Sequence, residues 1–457
     1  MNDSVSNYKE WLKRTNHSTL SPREGNELDI KLKKHLKKEL SELNKVTINE
    51  FYLLHKYQEV QDFCSKVDID VINEVKKLLY VPTSFDDYKL IEPEVIYVHE
   101  GIDVPHTNIY GETTIRQLPN KDNLLLHWQI IRTLVSSSRN DSLLGRAIRF
   151  LVKDKRTNKY LGILCIGSGL PTVTVLNKEY DWNIEDEFVR GGKVTNTANG
   201  QVIIPVQPLG RVFQGGKLMA LLTLSKPVVE KYEELYGQKL VAIHTTSLFG
   251  NKGISQYDNL KHFKNLGLTT GSSALKITDS TYKLILEWLK KRYPYQHYIH
   301  HVEKNEYGSL KMRDRKNRIL ITTFKKLGFK QTEYQSGHQR LVYNSFLYSN
   351  SKEFLSHQVK EHELVSAFDN SIEALTEYWK FGILGDIESS KSFKRKYKEN
   401  EKRYETILRM KSGVKGHVNH LKKQGVQLRL PIDEWYGEIY NKSFSFMKKK
   451  YIKQVGR

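Results

Sequence analysis

The stretch "KLVAIHTTSLFGNKGISQYDNLKHFKNLGLTTG", residues 239–271, decides how the middle of this 457-residue chain is read. An apolar run passes into threonines and a glycine-rich polar segment, then an aromatic-rich segment, and "LGL" closes it. The pattern predicts strand, loop, amphipathic helix, strand. Ligand-binding side chains of α/β proteins gather in loops at the carboxyl ends of buried strands. His244, Thr245, Thr246, Gln256, Tyr257 and Thr269 are therefore candidate site residues.

Upstream, "RAIRFLVKD" and "YLGILCIGSG" read as strands joined by the polar turn "KRTNK", and "QVIIPVQPLG" as a further strand. "KLMALLTLSKPVVEKYEELYG" predicts a helix broken or kinked at Pro227 and stopped at Gly237. Residues 1–85 carry helical spacings, and "LLLHWQIIRTLVSS" predicts another helix. After residue 275 the pattern reads as mostly helical, including the run from "SKEFLSHQV" to "EALTEYWKF". The expected class is α+β: a helical N-terminal region (1–85), a mixed-sheet core (120–275), a helical extension (276–380) and a basic helical C-terminal region (391–457).

Charge is the strongest compositional signal. Seventy-three Lys and Arg against 52 Asp and Glu give +21, a field that attracts polyanions, nucleic acid above all. Residues 391–457 hold 19 basic and 6 acidic residues, a net of +13. "KMRDRKNR" and the tail interleave cations with Tyr and Phe, the residue types that neutralise phosphates and stack on bases. Arg313, Arg315, Lys316, Arg318, Lys394, Arg395, Lys396, Lys422 and Lys423 are the candidate contacts to DNA or RNA.

No long uninterrupted apolar segment and no signal-peptide pattern is visible, so the expectation is a cytoplasmic protein without a membrane partner. Two cysteines, Cys64 and Cys165, exclude a disulfide framework and a cysteine-built zinc site. "HYIHHVEK" offers His297 and His301 at helical spacing but no acidic ligand at a fixed distance, and no metal is expected.

The turn "GRVFQGGK", residues 210–217, lies between strand and helix, where glycine amides and a helix N-terminus favour an anion. Arg211, Gly215, Gly216 and Lys217 are the candidate phosphate site, although neither the P-loop nor the dinucleotide spacing is met. The order hairpin, strand, turn, helix, strand resembles the acetyltransferase superfamily built around acetyl-coenzyme A. That resemblance implies group transfer in a cleft, and for such a reaction His244 is the candidate base and Tyr257 the candidate acid. Phe263 stands where that superfamily carries its proton-donating tyrosine, so coenzyme A is expected to bind weakly or not at all, and the cofactor stays open.

A more detailed resemblance is to the DruA family, named from the Druantia anti-phage defence system. Its pattern is matched at Thr245, Gly253, Gln256, Tyr257, Gly267, Thr269, Gly271, Gln339, Arg340, Tyr343, Tyr348, Asn350, Phe354 and Leu355, over about residues 125–360. The Mom-type phage enzymes that modify adenine in DNA share some of this flavour. The resemblance implies a setting of phage–bacterium conflict, with Arg340 joining the substrate contacts. Two functions fit: modification of nucleic acid by group transfer, or non-catalytic DNA binding beside a helicase or nuclease partner.

Overall fold

The structure is a computed structural model. It describes residues 2–14, 20–43, 59, 63, 66–83, 85–98, 102–107, 113–118, 123–136, 146–171, 173–182, 193–207, 209–247, 255–269, 272–275, 277–302 and 312–385. The class is α+β. A seven-stranded sheet has the order β1-β4-β5-β6-β7-β11-β8, made of β1 (Pro93–Val98), β4 (Ala147–Asp154), β5 (Lys159–Ser168), β6 (Thr197–Pro205), β7 (Ala242–Ser247), β8 (Lys264–Leu268) and β11 (Leu341–Phe346). Neighbours in this sheet are antiparallel except β6 and β7. Two small ribbons accompany it, β2 (Ile102–Thr107) with β3 (Thr113–Leu118), and β9 (Ser272–Leu275) with β10 (Gln335–His338).

The β4–β5 hairpin forms where the sequence predicts it, for a local reason. Asp154 is fully buried at the turn, and its carboxylate accepts from the Thr157 amide (3.1 Å), the Thr157 hydroxyl (2.6 Å) and the Glu92 amide (2.8 Å). Asn158 takes the left-handed conformation (φ 54°) that Asn tolerates in turns. Strand β5 is buried on both faces, as its unbroken apolar run requires.

Helices fill in along the chain: α1 (Asn2–Arg14), α2 (Pro22–Leu43), α3 (Ile69–Lys77), α4 (Leu124–Val135), α5 (Thr174–Glu179), α6 (Gly215–Leu222), α7 (Lys226–Tyr236), α8 (Asp279–Arg292) and α9 (Met312–Lys326). The helix expected to kink at Pro227 is two helices, α6 and α7. Ser225 precedes α7, and Pro227 sits in its first turn, where a missing N–H costs nothing. Gly237 (φ 61°) ends α7, as the sequence predicts.

One expectation is corrected and another extended. Residues 256–263 form successive turns rather than an amphipathic helix, because Asn259 (φ 58°) adopts a left-handed backbone that a helix cannot contain. The mostly helical region after residue 275 also contains strands that its sequence pattern does not show. It supplies β10 and β11, and β11 inserts between β7 and β8. The residues of β11 from Val342 to Ser345 are buried on both faces, which erases the alternation that marks a strand. The run after residue 350 is also broken, into short helices at Ser351–Leu355 and Ile372–Glu377.

The N-terminal helix α2 packs on α8 and α9 around Leu32, Leu36, Leu40, Ile285, Leu289, Ile319 and Phe324, forming a bundle beside the sheet. Asp29 ties α2 to α8 by accepting from Trp288 Nε1 (2.9 Å) and Arg292 Nε (3.2 Å). Glu39 does the same at the other end, through the Thr278 amide (2.8 Å) and the Thr281 hydroxyl. Among the described residues no helix is long and apolar enough to cross a membrane.

Leu36 is wholly buried in the bundle whereas Lys37 beside it is exposed. Leu36→Ala is expected to cost about 2–5 kcal/mol in urea unfolding, and Lys37→Ala less than about 0.5 kcal/mol. Equal costs would show that α2 does not pack through this face.

Candidate functional site

The candidate site forms where β6 and β7 part. Their parallel pairing runs from Thr197↔Ala242 to Gly200↔Thr245 and stops, while β6 continues to Pro205. Beyond that point the Ile203 carbonyl, facing the gap, accepts from Gln256 Nε2 at 3.0 Å. The same Gln256 amide donates to the Tyr257 hydroxyl at 3.0 Å. Tyr257 is 7% exposed, packed against Tyr343 (5.1 Å between ring centroids) and Phe263 (5.3 Å). Burial raises its pKa, with hydrogen bonds to Thr245 and Gln256 pulling the other way. Thr245 gives its own proton to the Gly200 carbonyl (2.8 Å). Gln256 and Tyr257 thus fill the gap between the strands.

The glycine turn lies against the same loop. A Cβ on Gly216 would sit 2.6 Å from Gln256 Oε1, and one on Gly215 would sit 2.9 Å from Leu209 Cγ. The two glycines therefore allow α6 to approach Leu209 and Gln256 closely, and its amide end is packed. Lys217 donates to the Asp258 carbonyl (2.6 Å); burial lowers its pKa while Asp258 opposes that shift. The Asp258 carboxylate accepts from the Tyr343 hydroxyl (2.6 Å) and the Ser255 amide (2.9 Å). Burial, and then the Asp258 carboxylate, push Tyr343 up to about 12. The backbone of Arg211 lies in the turn Leu209–Val212.

His244 occupies the opposite face of the sheet. It is fully buried, and its Nε2 accepts from the Leu170 amide at 3.2 Å. That acceptor role leaves the proton on Nδ1, which donates to the Tyr180 hydroxyl (3.1 Å); Tyr180 in turn donates to Asn344 Oδ1 (2.7 Å). Burial lowers the His244 pKa to about 3, so the ring is neutral. His244, read from sequence as a candidate base, and Tyr257, read as a candidate acid, lie on opposite faces of the sheet. Successive strand residues face opposite ways, so His244 points to Tyr180 and Thr245 to Tyr257, with β7 between them. Thr245 and Thr246 are separated for the same reason.

Thr269 and Arg340 are brought together through backbone groups. The Arg340 amide donates to the Thr269 hydroxyl (3.1 Å), and the Thr269 amide to the Arg340 carbonyl (2.9 Å), fastening β8 to β11. Arg313, Arg315, Lys316 and Arg318 fall on α9, where Arg318 is exposed. Lys394, Arg395, Lys396, Lys422 and Lys423 lie outside the described residues. Sequence reasoning missed Asp258, the hub joining Lys217 and Tyr343, although its position next to Tyr257 was a signal. It also missed Tyr180, whose link to His244 spans 64 residues of chain.

The segment carrying this geometry can be compared with known proteins. The family model described as "Druantia protein DruA" matches residues 97–357. The chain belongs to the DruA family. The match runs from the end of β1 through the helix Ser351–Leu355, leaving α1, α2 and α3 outside. A curated relative, the Druantia protein DruA of Escherichia coli (strain UMEA 4076-1), is 26% identical over 238 residues, 49% of this chain and 56% of the relative. The chain thus spans about half the length of the curated relative it matches. No solved structure matches.

The buried neutral His244 has a consequence for pH. Its folded pKa, about 3, lies below the ordinary 6.5, so the unfolded chain binds the proton first. Its contribution to stability is therefore present above pH 6.5 and is lost as pH falls toward 3. Between about pH 6 and pH 4 the wild type is expected to lose up to about 1.4 kcal/mol per pH unit more than His244→Gln. Parallel pH–stability curves for the two would show that the imidazole is protonated in the native state.

Proposed function

We propose that this chain serves anti-phage defence in the cytoplasm as a nucleic-acid-binding protein with an acetyltransferase-like core, working beside a helicase or nuclease partner. The observation that carries the binding reading is the filled junction between β6 and β7. Gln256 holds the Ile203 carbonyl, Tyr257 is buried against Tyr343 and Phe263, and Lys217 is engaged by Asp258. Set against this packed junction is a formal charge of +21, which draws the chain to polyanions. The order hairpin β4–β5, strand β6, glycine turn, helices and parallel strand β7 supports the acetyltransferase-like description. Membership of the DruA family supports the defence setting.

Coenzyme A does not fit the residues present. A pyrophosphate needs accessible amides at the start of α6, where Gly215 and Gly216 are buried and the Lys217 amide already donates to the Gln214 carbonyl (2.8 Å). A departing thiolate needs an acid, and Phe263 has none to give.

The second reading, modification of nucleic acid by group transfer, is favoured by one cluster. Asp258, Tyr343 and Lys217 bring a carboxylate, a phenol pushed up to about 12 and a partly desolvated ammonium together near the carboxyl end of β7. On that reading residues 255–258 move aside for substrate, and Tyr257 serves as acid.

Titration calorimetry with acetyl-coenzyme A is expected to show no binding in the low-micromolar range, about −8 kcal/mol. Binding that tight would move the conclusion to the enzymatic reading, with Tyr257→Phe as the next variant. Binding to a DNA duplex is expected to weaken steeply with salt, and deletion of residues 391–457 to make the dependence shallower. An unchanged salt slope would remove the tail from the interface.

A further inference from the structure

We infer that one end of the α2–α8–α9 bundle grips the phosphate backbone of the nucleic acid, an inference that rests on the nucleic-acid reading above. The bundle brings together cations that are far apart in sequence. Lys33 Nζ on α2 lies 3.7 Å from where a Cβ on Gly328 would stand, just past the end of α9. Lys326 Nζ lies 4.3 Å from the centre of the Tyr293 ring, just past the end of α8. The turn between these points is fixed. Gly328 (φ 71°) ends α9, the Phe329 amide donates back to the Phe324 carbonyl (3.0 Å), and the Phe329 side chain is buried. Lys290, Lys291, Lys325 and Lys330, all exposed, complete the same end.

Acidic residues do not balance this group. Asp29 is paired with Arg292 and Glu27 with Arg23, while Glu24 keeps its charge beside the Ser21 hydroxyl and Glu39 lies at the opposite end, held by Thr278 and Thr281. Glu333 accepts from the Lys330 amide (2.6 Å), and Glu287 remains on α8. Lysines at the carboxyl ends of α8 and α9 also offset helix dipoles, but two helix ends carry only about −0.5 charge each. Six ammonium groups exceed those dipoles and the carboxylates of Glu24, Glu287 and Glu333 together. Among the described residues, Lys33, Lys325, Lys326 and Lys330 form no ion pair. An excess held by rigid helices matches a line of phosphates, with Tyr293 holding Lys326 in place by its ring face.

The test is full-length chain carrying Lys33→Gln, Lys325→Gln, Lys326→Gln and Lys330→Gln, titrated with a short mixed-sequence DNA duplex across a salt series by fluorescence anisotropy. The magnitude of the slope of log affinity against log salt is expected to fall by up to about 3.6, since each of four phosphate contacts contributes about 0.9. Lys283→Gln, at the far end of α8, is expected to leave the slope unchanged. Thermal unfolding of the quadruple variant is expected to stay close to wild type, because among the described residues these side chains form no ion pair and the Lys326–Tyr293 contact is the one ring contact removed. A wild-type slope in the quadruple variant overturns this inference while leaving the nucleic-acid reading intact. Absence of duplex binding by wild type at low salt overturns both. Binding to acidic phospholipid vesicles without duplex binding assigns the surface to a membrane and overturns both as well.

Discussion

Four residue pairs in parallel, Thr197↔Ala242 through Gly200↔Thr245, form the joint on which the rest of the structure depends. Parallel strands cannot be joined by a tight turn, so the chain between them must cross over, here through α6 and α7. Where the pairing ends, β6 is left with peptide groups that need partners, and a buried carbonyl without one is costly. Gln256 meets that need at Ile203 and in doing so brings Tyr257 and Asp258 to the junction. Lys217, Tyr343 and the close approach at Gly216 all follow from the position of this loop.

The two faces of the sheet solve different problems. On one, Tyr257, Tyr343 and Phe263 build an aromatic layer over a hydrogen-bonded carboxylate. On the other, His244, Tyr180 and Asn344 form a chain of donors and acceptors whose direction is set by the Leu170 amide. Trp182 and Phe354 belong to the apolar cluster on this second face. A neutral histidine with its acceptor nitrogen engaged holds strands and loop in register. It has no lone pair left for a substrate.

The distribution of charge separates recognition from this packed core. Buried polar groups at the β6–β7 junction are directed at one another, whereas Lys37 and Lys38 on α2, Lys290 and Lys291 on α8 and Lys325 on α9 are exposed. The apolar stripe of α2, Leu32, Leu36 and Leu40, is what places its lysines beside those of α9. Packing energy therefore positions the charges, and electrostatics need not hold the bundle together.

Elements whose signals are local were legible along the chain. The β4–β5 hairpin was legible because Asp154, Thr157 and Asn158 carry turn chemistry within a few residues. The end of α7 was legible at Gly237, and the DruA resemblance was legible in residues that stand in order along the chain. Tertiary structure alone decided that β11 enters the sheet between β7 and β8, because a strand buried on both faces loses its alternation. It alone put His244 and Tyr257 on opposite faces, since a loop's path over a sheet is not written in spacing along the chain. It also joined α2 to helices some 240 residues later, as the Glu39–Thr278 bond shows. Such contacts depend on which apolar surfaces meet, and hydrophobic packing is non-directional, so a periodic stripe announces that a face will be buried without naming its partner.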